Sequence, residues 1–178
     1  MNAPAAGSRH VVLVGMMGVG KSTVGRALAR VMKRPFCDSD DEIVARTGRS
    51  VAEIFAADGE PAFRAVEAEV MADLLDRDEP TVIAAAGGAV LADATRQRLR
   101  RAGTVVWLSA PIDTLVDRTA SGAHRPALAD DPVGTLARLS DERAALYAEV
   151  ADRRVDATDS VDEVVDAVLA ALVEGADR

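Results

Sequence analysis

The chain has 178 residues, 49% of them hydrophobic, which is enough apolar material for one substantial core but would leave two independent cores small. A net charge of -8 argues against a general nucleic-acid binder, whose affinity comes from clustered Lys and Arg, so an anionic ligand must be held locally. The lone Cys37 cannot form an internal disulfide, no charged n-region precedes an apolar h-region, and Val82 to Ala86 and Val164 to Val173 are too short or too interrupted to span a bilayer; a cytoplasmic, soluble protein is expected.

Short β-branched runs alternate with longer segments of helical period, the pattern of a parallel sheet with crossover helices. Met1 to Ser8 reads as a flexible leader. Strands are expected at His10 to Val14, Pro35 to Cys37, Thr81 to Ala85, Thr104 to Leu108 and, more weakly, Arg154 to Ala157. All but the last are nearly continuous apolar runs and read as fully buried. Helices are expected at Lys21 to Met32, Asp41 to Thr47, Val51 to Ala57, Glu60 to Leu75, Ala92 to Arg101, Ile112 to Thr119, Val133 to Val150 and Val161 to Val173. Ala120 to Pro132 is the most loop-like interior stretch, and no repeat or linker divides the chain, so residues 1–178 read as one domain.

Between the first strand and the first helix, Gly15-Met16-Met17-Gly18-Val19-Gly20-Lys21-Ser22 fits G-x-x-x-x-G-K-[ST]. Glycines let the backbone turn successive N–H groups toward phosphate oxygens, and the helix N-terminus adds partial positive charge. Lys21 then reaches the β- and γ-phosphates and Ser22 ligates magnesium. The bland alternative is a glycine-rich turn with an incidental Lys-Ser; a chance match in a chain this long is on the order of one percent, before its flanks are considered. The loop by itself does not separate a kinase from a GTPase or a motor.

Open α/β sheets bind ligands beyond the carboxyl ends of their strands. Asp38-Ser39-Asp40 follows the second strand with two carboxylates, one suited to holding magnesium through water and the other to a substrate hydroxyl; the plain alternative is that Ser39 or Asp40 caps the next helix. Gly87-Gly88 follows the third strand and offers unobstructed amides, or simply a tight turn. Arg64 and Arg143, taken singly, read as solvated helix charges.

Their order is more specific. Asp38-Ser39-Asp40, Thr47-Gly48-Arg49-Ser50, Gly59-Glu60, Phe63-Arg64, Gly87-Gly88-Ala89-Val90, His124-Arg125-Pro126 and Arg143-Ala144-Ala145-Leu146-Tyr147 follow one another in a sequence that resembles the shikimate kinase family, from about Val11 to Asp156. The phosphate loop, extended through Thr23-Val24-Gly25, is similar to that family's own version. The resemblance implies a three-layer α/β/α fold of the P-loop NTPase, nucleoside monophosphate kinase-like type, with a five-stranded parallel sheet in the order 2-3-1-4-5. It also implies an acceptor-binding region over about 40–75 and a lid over about 118–132.

For individual residues, the resemblance implies ATP as co-substrate, held by Gly18, Val19, Gly20, Lys21, Ser22 and Thr23, with Arg118 stacked on adenine. Magnesium falls to Ser22 and Asp38. Asp40 binds ring hydroxyls of shikimate, including the attacking one, while Arg64 and Arg143 grip its carboxylate and Glu67 steadies Arg64. Gly87 and Gly88 complete the acceptor pocket. Lys21, Asp40 and the lid residue Arg125 are the implied catalytic set. A guanidinium suits such a carboxylate because it donates two parallel bonds, and a cation on a loop suits phosphoryl transfer, which needs late charge neutralisation and water excluded.

The chain departs from the family at Ala86, where a third glycine is usual, and at Ala127, where the lid commonly has leucine. If position 86 needs positive φ, alanine costs roughly 1 kcal/mol or more. The rival readings are a kinase of another small acid such as gluconate, and a nucleotide-binding module without catalysis; retention of Lys21, Ser22, Asp38, Asp40 and Arg125 speaks against the second. A monomer acting on a small molecule is expected, with no nucleic-acid or membrane partner. His10 and His124 read as structural or surface residues, Trp107 and Tyr147 as core packing, and Cys37 as a small buried hydrophobe.

Overall fold

The computed structural model describes residues 9–120 and 131–174. At its centre, β1 (His10–Val14) is buried along its whole length and pairs in parallel with β3 (Val82–Ala84) on one side and β4 (Gly103–Ser109) on the other. β2 (Phe36–Asp38) lies outside β3 and β5 (Arg153–Asp156) outside β4, again in parallel, so the sheet has five strands in the order β2-β3-β1-β4-β5. This is the expected topology. The expectation that β2 is fully buried fails: all its residues are half-buried, because it forms a sheet edge where one side has no neighbouring strand.

His10 opens β1 as a buried structural residue, its Nδ1 accepting from the Thr81 N–H at 3.1 Å and its Nε2 facing the Arg77 carbonyl at 3.0 Å. Cys37 is half-buried rather than enclosed, with the Arg77 guanidinium donating to its Sγ at 2.8 Å.

α1 (Lys21–Met32) has the bounds its apolar period predicts and ends on Lys33 in the left-handed region, whose N–H closes on the Ala29 and Arg30 carbonyls. α2 (Ser39–Thr47) is followed by α3 (Val51–Leu75), opened by a reciprocal capping box between Ser50 and Glu53. The two helices expected over this stretch run end to end, broken at Gly59 (φ 79, ψ 174) just before Pro61. A short 3-10 turn at Ala89–Leu91 precedes α4 (Asp93–Ala102), and α5 (Ile112–Ala120), α6 (Pro132–Val150) and α7 (Val161–Glu174) complete the chain. α1 packs with α7, while α4 packs with both α3 and α6. These two groups cover the sheet as a three-layer α/β/α stack.

The core runs through the sheet, from Leu13, Ile83 and Leu108 to Leu28 of α1 and Leu136 of α6, all fully buried. Among the described residues no helix is long and apolar enough to cross a membrane. Beyond the carboxyl ends of β1, β2 and β3 lie the phosphate loop, Asp38-Ser39-Asp40 and Ala86-Gly87-Gly88, brought side by side by the parallel register.

Candidate active site

The phosphate loop enters its turn at Gly15 (φ 143), where a Cβ would overlap the Leu108 carbonyl oxygen at the end of β4, so only glycine fits. Lys21, the first residue of α1, folds its ammonium back over the loop and donates to the Gly15 and Met16 carbonyls at 2.9 and 3.0 Å. Gly18, Val19, Gly20, Lys21, Ser22 and Thr23 all line one cavity of about 1110 Å³. Val19 has a buried side chain, so what it offers a ligand is backbone.

Asp38 works in two directions. Its Oδ2 accepts from the Ser22 hydroxyl at 2.5 Å and its Oδ1 from the Asp40 N–H at 3.0 Å, which makes Asp38 the N-cap of α2. The alternative that Ser39 or Asp40 serves as that cap is therefore corrected. Ser39 is wholly buried, and its Oγ accepts from the Ala86 N–H at 2.8 Å, whereas Asp40 is exposed and lines the cavity. The adjacent Ser22 hydroxyl and Asp38 carboxylate are hard oxygen donors of the kind magnesium takes alongside phosphate oxygens and water. Among the described residues no cluster of three or more acidic, His or Cys side chains offers a metal a fuller set.

The acceptor end is built on α3 and α6. Arg64 donates from Nη1 to Glu67 Oε2 at 2.8 Å and from Nε and Nη2 to Glu60 Oε1 at 3.2 and 3.0 Å. Glu67 sits in α3 with its Oε1 buried and without a hydrogen-bond partner. Burial pushes its carboxyl above the ordinary range, against the opposing pull of Arg64 and Arg143. Arg143, on α6, is itself buried.

Both guanidinium groups close on the same turn: a Cβ at Gly88 would overlap Arg64 Nη1, and a Cβ at Gly87 would stand 3.5 Å from Arg143 Nη1. A side chain at Gly88 would push the Arg64 guanidinium from its present place. Ala86 carries no strain, since Lys33 is the one non-glycine at positive φ among the described residues; the anticipated penalty there is corrected.

Arg118, at the end of α5, donates from Nη1 to the Val19 and Ala157 carbonyls at 3.3 and 2.8 Å and from Nη2 to the Thr158 carbonyl at 3.1 Å. It ties the phosphate loop to the turn after β5. Arg125, His124, Ala127 and most of the expected lid lie outside the described residues, as does the leader 1–8. The cavity thus gathers Lys21, Asp38, Asp40, Arg64, Arg118 and Arg143 around the two loops.

Tyr147 escapes the reading of it as core packing alone. Its ring is buried against Trp107, with centroids 5.7 Å apart, but its hydroxyl donates to the Gly87 carbonyl at 2.6 Å. The signal available in the sequence is its spacing of four from Arg143, which puts both on one helical face.

A family model described as shikimate kinase matches residues 17–173. The chain belongs to the shikimate kinase family. The shikimate kinase of Symbiobacterium thermophilum is 46% identical over 174 residues, covering 95% of this chain and 99% of that protein. That of Paramagnetospirillum magneticum is 46% identical over 168 residues, covering 94% and 84%. A shikimate kinase from Acinetobacter baumannii, solved in complex with shikimate, superimposes with a TM-score of 0.90 at 35% identity, covering 94% of each chain. Members of the shikimate kinase family are kinases that use ATP as co-substrate, and the phosphate loop described above is the part of this chain suited to it.

Proposed function

We propose that this chain transfers the γ-phosphoryl group of ATP to the 3-hydroxyl of shikimate, giving shikimate 3-phosphate and ADP, as a step of aromatic amino-acid biosynthesis. One observation carries this most: Arg64 and Arg143 meet at Gly87-Gly88, inside the cavity that also holds the phosphate loop. A carboxylate gripped there by two guanidinium groups leaves the rest of a small ring facing Lys21 and Asp40. The Acinetobacter relative is described as bound to shikimate, which supports the same acceptor.

Phosphoryl transfer needs positioning and charge more than covalent help, because negative charge spreads over the equatorial oxygens as the bond to the leaving group loosens. The loop amides of Gly18, Val19 and Gly20, with Ser22 and Thr23, hold the triphosphate, and Lys21 exchanges its loop carbonyls for phosphate oxygens. Magnesium, held by Ser22 and Asp38, neutralises phosphate charge when bound. Asp40 orients the attacking hydroxyl and takes its proton as the new O–P bond forms and the bond to the ADP oxygen breaks. Arg118 presents adenine with a guanidinium face, since its donors are spent in the plane on carbonyls. Arg125, on a lid over about 118–132, covers the transferring group.

We assign these roles to a single kinase domain with its acceptor region over about 40–75, working as a cytoplasmic monomer without nucleic-acid or membrane partners. A coupled assay of ADP release, run with shikimate, with gluconate and with no acceptor, tests the proposal. Release only with shikimate is expected. Release with gluconate alone, or none with any acceptor, overturns it.

A further inference from the structure

We infer that Ser39 and Tyr147 are a pair of positioning residues that hold the Ala86-Gly87-Gly88 turn from opposite ends and thereby set the acceptor pocket against the phosphate loop. This rests on the proposed shikimate phosphorylation.

The turn follows β3 and has no side chain of its own larger than a methyl; the Ala89 N–H closes on the Ala86 carbonyl at 3.0 Å and the Leu91 N–H on the Gly88 carbonyl at 2.9 Å, but these local bonds do not tie it to the rest of the site. Two buried hydroxyls from distant elements do so instead. Ser39, at the start of α2 and wholly buried, accepts the Ala86 N–H at 2.8 Å. Tyr147, on α6 and 1% exposed, donates to the Gly87 carbonyl at 2.6 Å. One grips the N–H of the peptide entering Ala86 and the other the carbonyl of the peptide leaving Gly87, so the two peptide planes flanking the Ala86–Gly87 bond are each held from outside the turn. Buried hydroxyls and backbone groups paired in this way are costly to leave unpaired, which makes the arrangement rigid.

The same two side chains touch both halves of the site. Ser39 stands between Asp38 and Asp40, so the strand end that carries the metal and hydroxyl-binding carboxylates is bonded directly to the acceptor turn. The Tyr147 hydroxyl lies 3.9 Å from Met16 Sδ in the phosphate loop, and the Gly15 carbonyl oxygen stands 3.3 Å from where a Cβ on Gly87 would be. Arg143, one helical turn before Tyr147, lies over the same glycine, with its Nη1 and the Tyr147 hydroxyl each 3.5 Å from where a Cβ on Gly87 would be. Displacing the turn therefore shifts the surface that Arg64 and Arg143 flank relative to the phosphate loop, while the loop's own entry stays fixed by the close approach of Gly15 to the Leu108 carbonyl. A misplacement of about 1 Å at such a point costs on the order of 100-fold in rate.

Tyr147→Phe keeps the ring beside Trp107 and removes only the hydroxyl, and Ser39→Ala removes the other hold. Each is expected to lower kcat/KM for shikimate about 10- to 100-fold while the KM for ATP stays within about twofold. Because both act on one turn, the double variant is expected to lose less than the product of the single losses. Equal loss in the ATP and shikimate constants, a lowered melting temperature with unchanged kinetics, or multiplicative losses in the double variant would each overturn the inference. If Tyr147→Phe does not fold, Ser39→Ala read by the same split of constants decides it alone. Wild-type enzyme that releases no ADP with shikimate refutes the proposed activity; active wild type with kinetically silent variants refutes only the pairing.

Discussion

Arg64 spends both Nε and Nη2 on a single oxygen of Glu60, leaving Nη1 to Glu67. The two acids differ sharply: the Glu60 side chain is 60% exposed and that of Glu67 only 5%. If Arg64 binds the acceptor carboxylate as proposed, the arriving group is expected to displace Glu60 and leave Glu67, exchanging one carboxylate for another on the same fork.

Glu60→Gln removes the competing charge from an exposed pair whose worth is small, so the KM for shikimate is expected to fall about two- to fivefold with kcat unchanged. Arg64→Ala, which removes the fork itself, is expected to raise that KM about 10- to 100-fold, and Arg143→Ala to act in the same direction. Steady-state kinetics at saturating ATP checks both; a loss from Arg64→Ala confined to turnover contradicts the assignment.

Lys21→Ala leaves the loop backbone in place but withdraws the ammonium that Gly15 and Met16 now hold. A fall in kcat of about 100- to 1000-fold is expected. Arg125→Ala is expected to act in the same direction.

Asp38→Asn separates the metal role proposed for that residue from its observed capping role, because asparagine caps a helix as well as aspartate does. The magnesium concentration for half-maximal rate is expected to rise about tenfold, with the melting temperature nearly unchanged. A large loss of stability without a metal shift would assign Asp38 to α2 alone.

Tyr147 is the chain's single tyrosine, so the ultraviolet absorbance of phenolate reports it alone. Burial pushes its hydroxyl from 10.0 up to about 12. A raised value in the folded state means that the stabilisation is fully present below pH 10.0 and is lost as the pH rises through about 12. Native protein is expected to show little phenolate at pH 10.0, where urea-unfolded protein is half ionised. A native midpoint near 10.0 would place the hydroxyl in water.

Much of this was legible from local pattern. The bounds of α1 and β1 follow from apolar period and the glycine-rich turn between them, and the parallel sheet follows from the alternation of strands with helices, whereas the order of the strands was implied only by the family resemblance. Asp38, Arg64 and Arg143 stood out because charge placed after a strand or in an ordered motif is conspicuous. Half-burial of β2 was hidden because edge or centre is a property of the assembled sheet, not of Phe36-Cys37-Asp38. Ser39 and Tyr147 were hidden for a related reason: their partners lie 47 and 60 residues away. Nothing in an isolated hydroxyl announces a distant backbone group.

The contact between Gly15 and the Leu108 carbonyl sets a boundary on the history open to this chain. Residues around the acceptor can change, because they are held by side chains that can change in concert. The floor of the cradle is main chain pressed on main chain, where no second substitution can make room for a first. Under selection for turnover, diversity should accumulate in acceptor preference long before it touches the grip on the nucleotide.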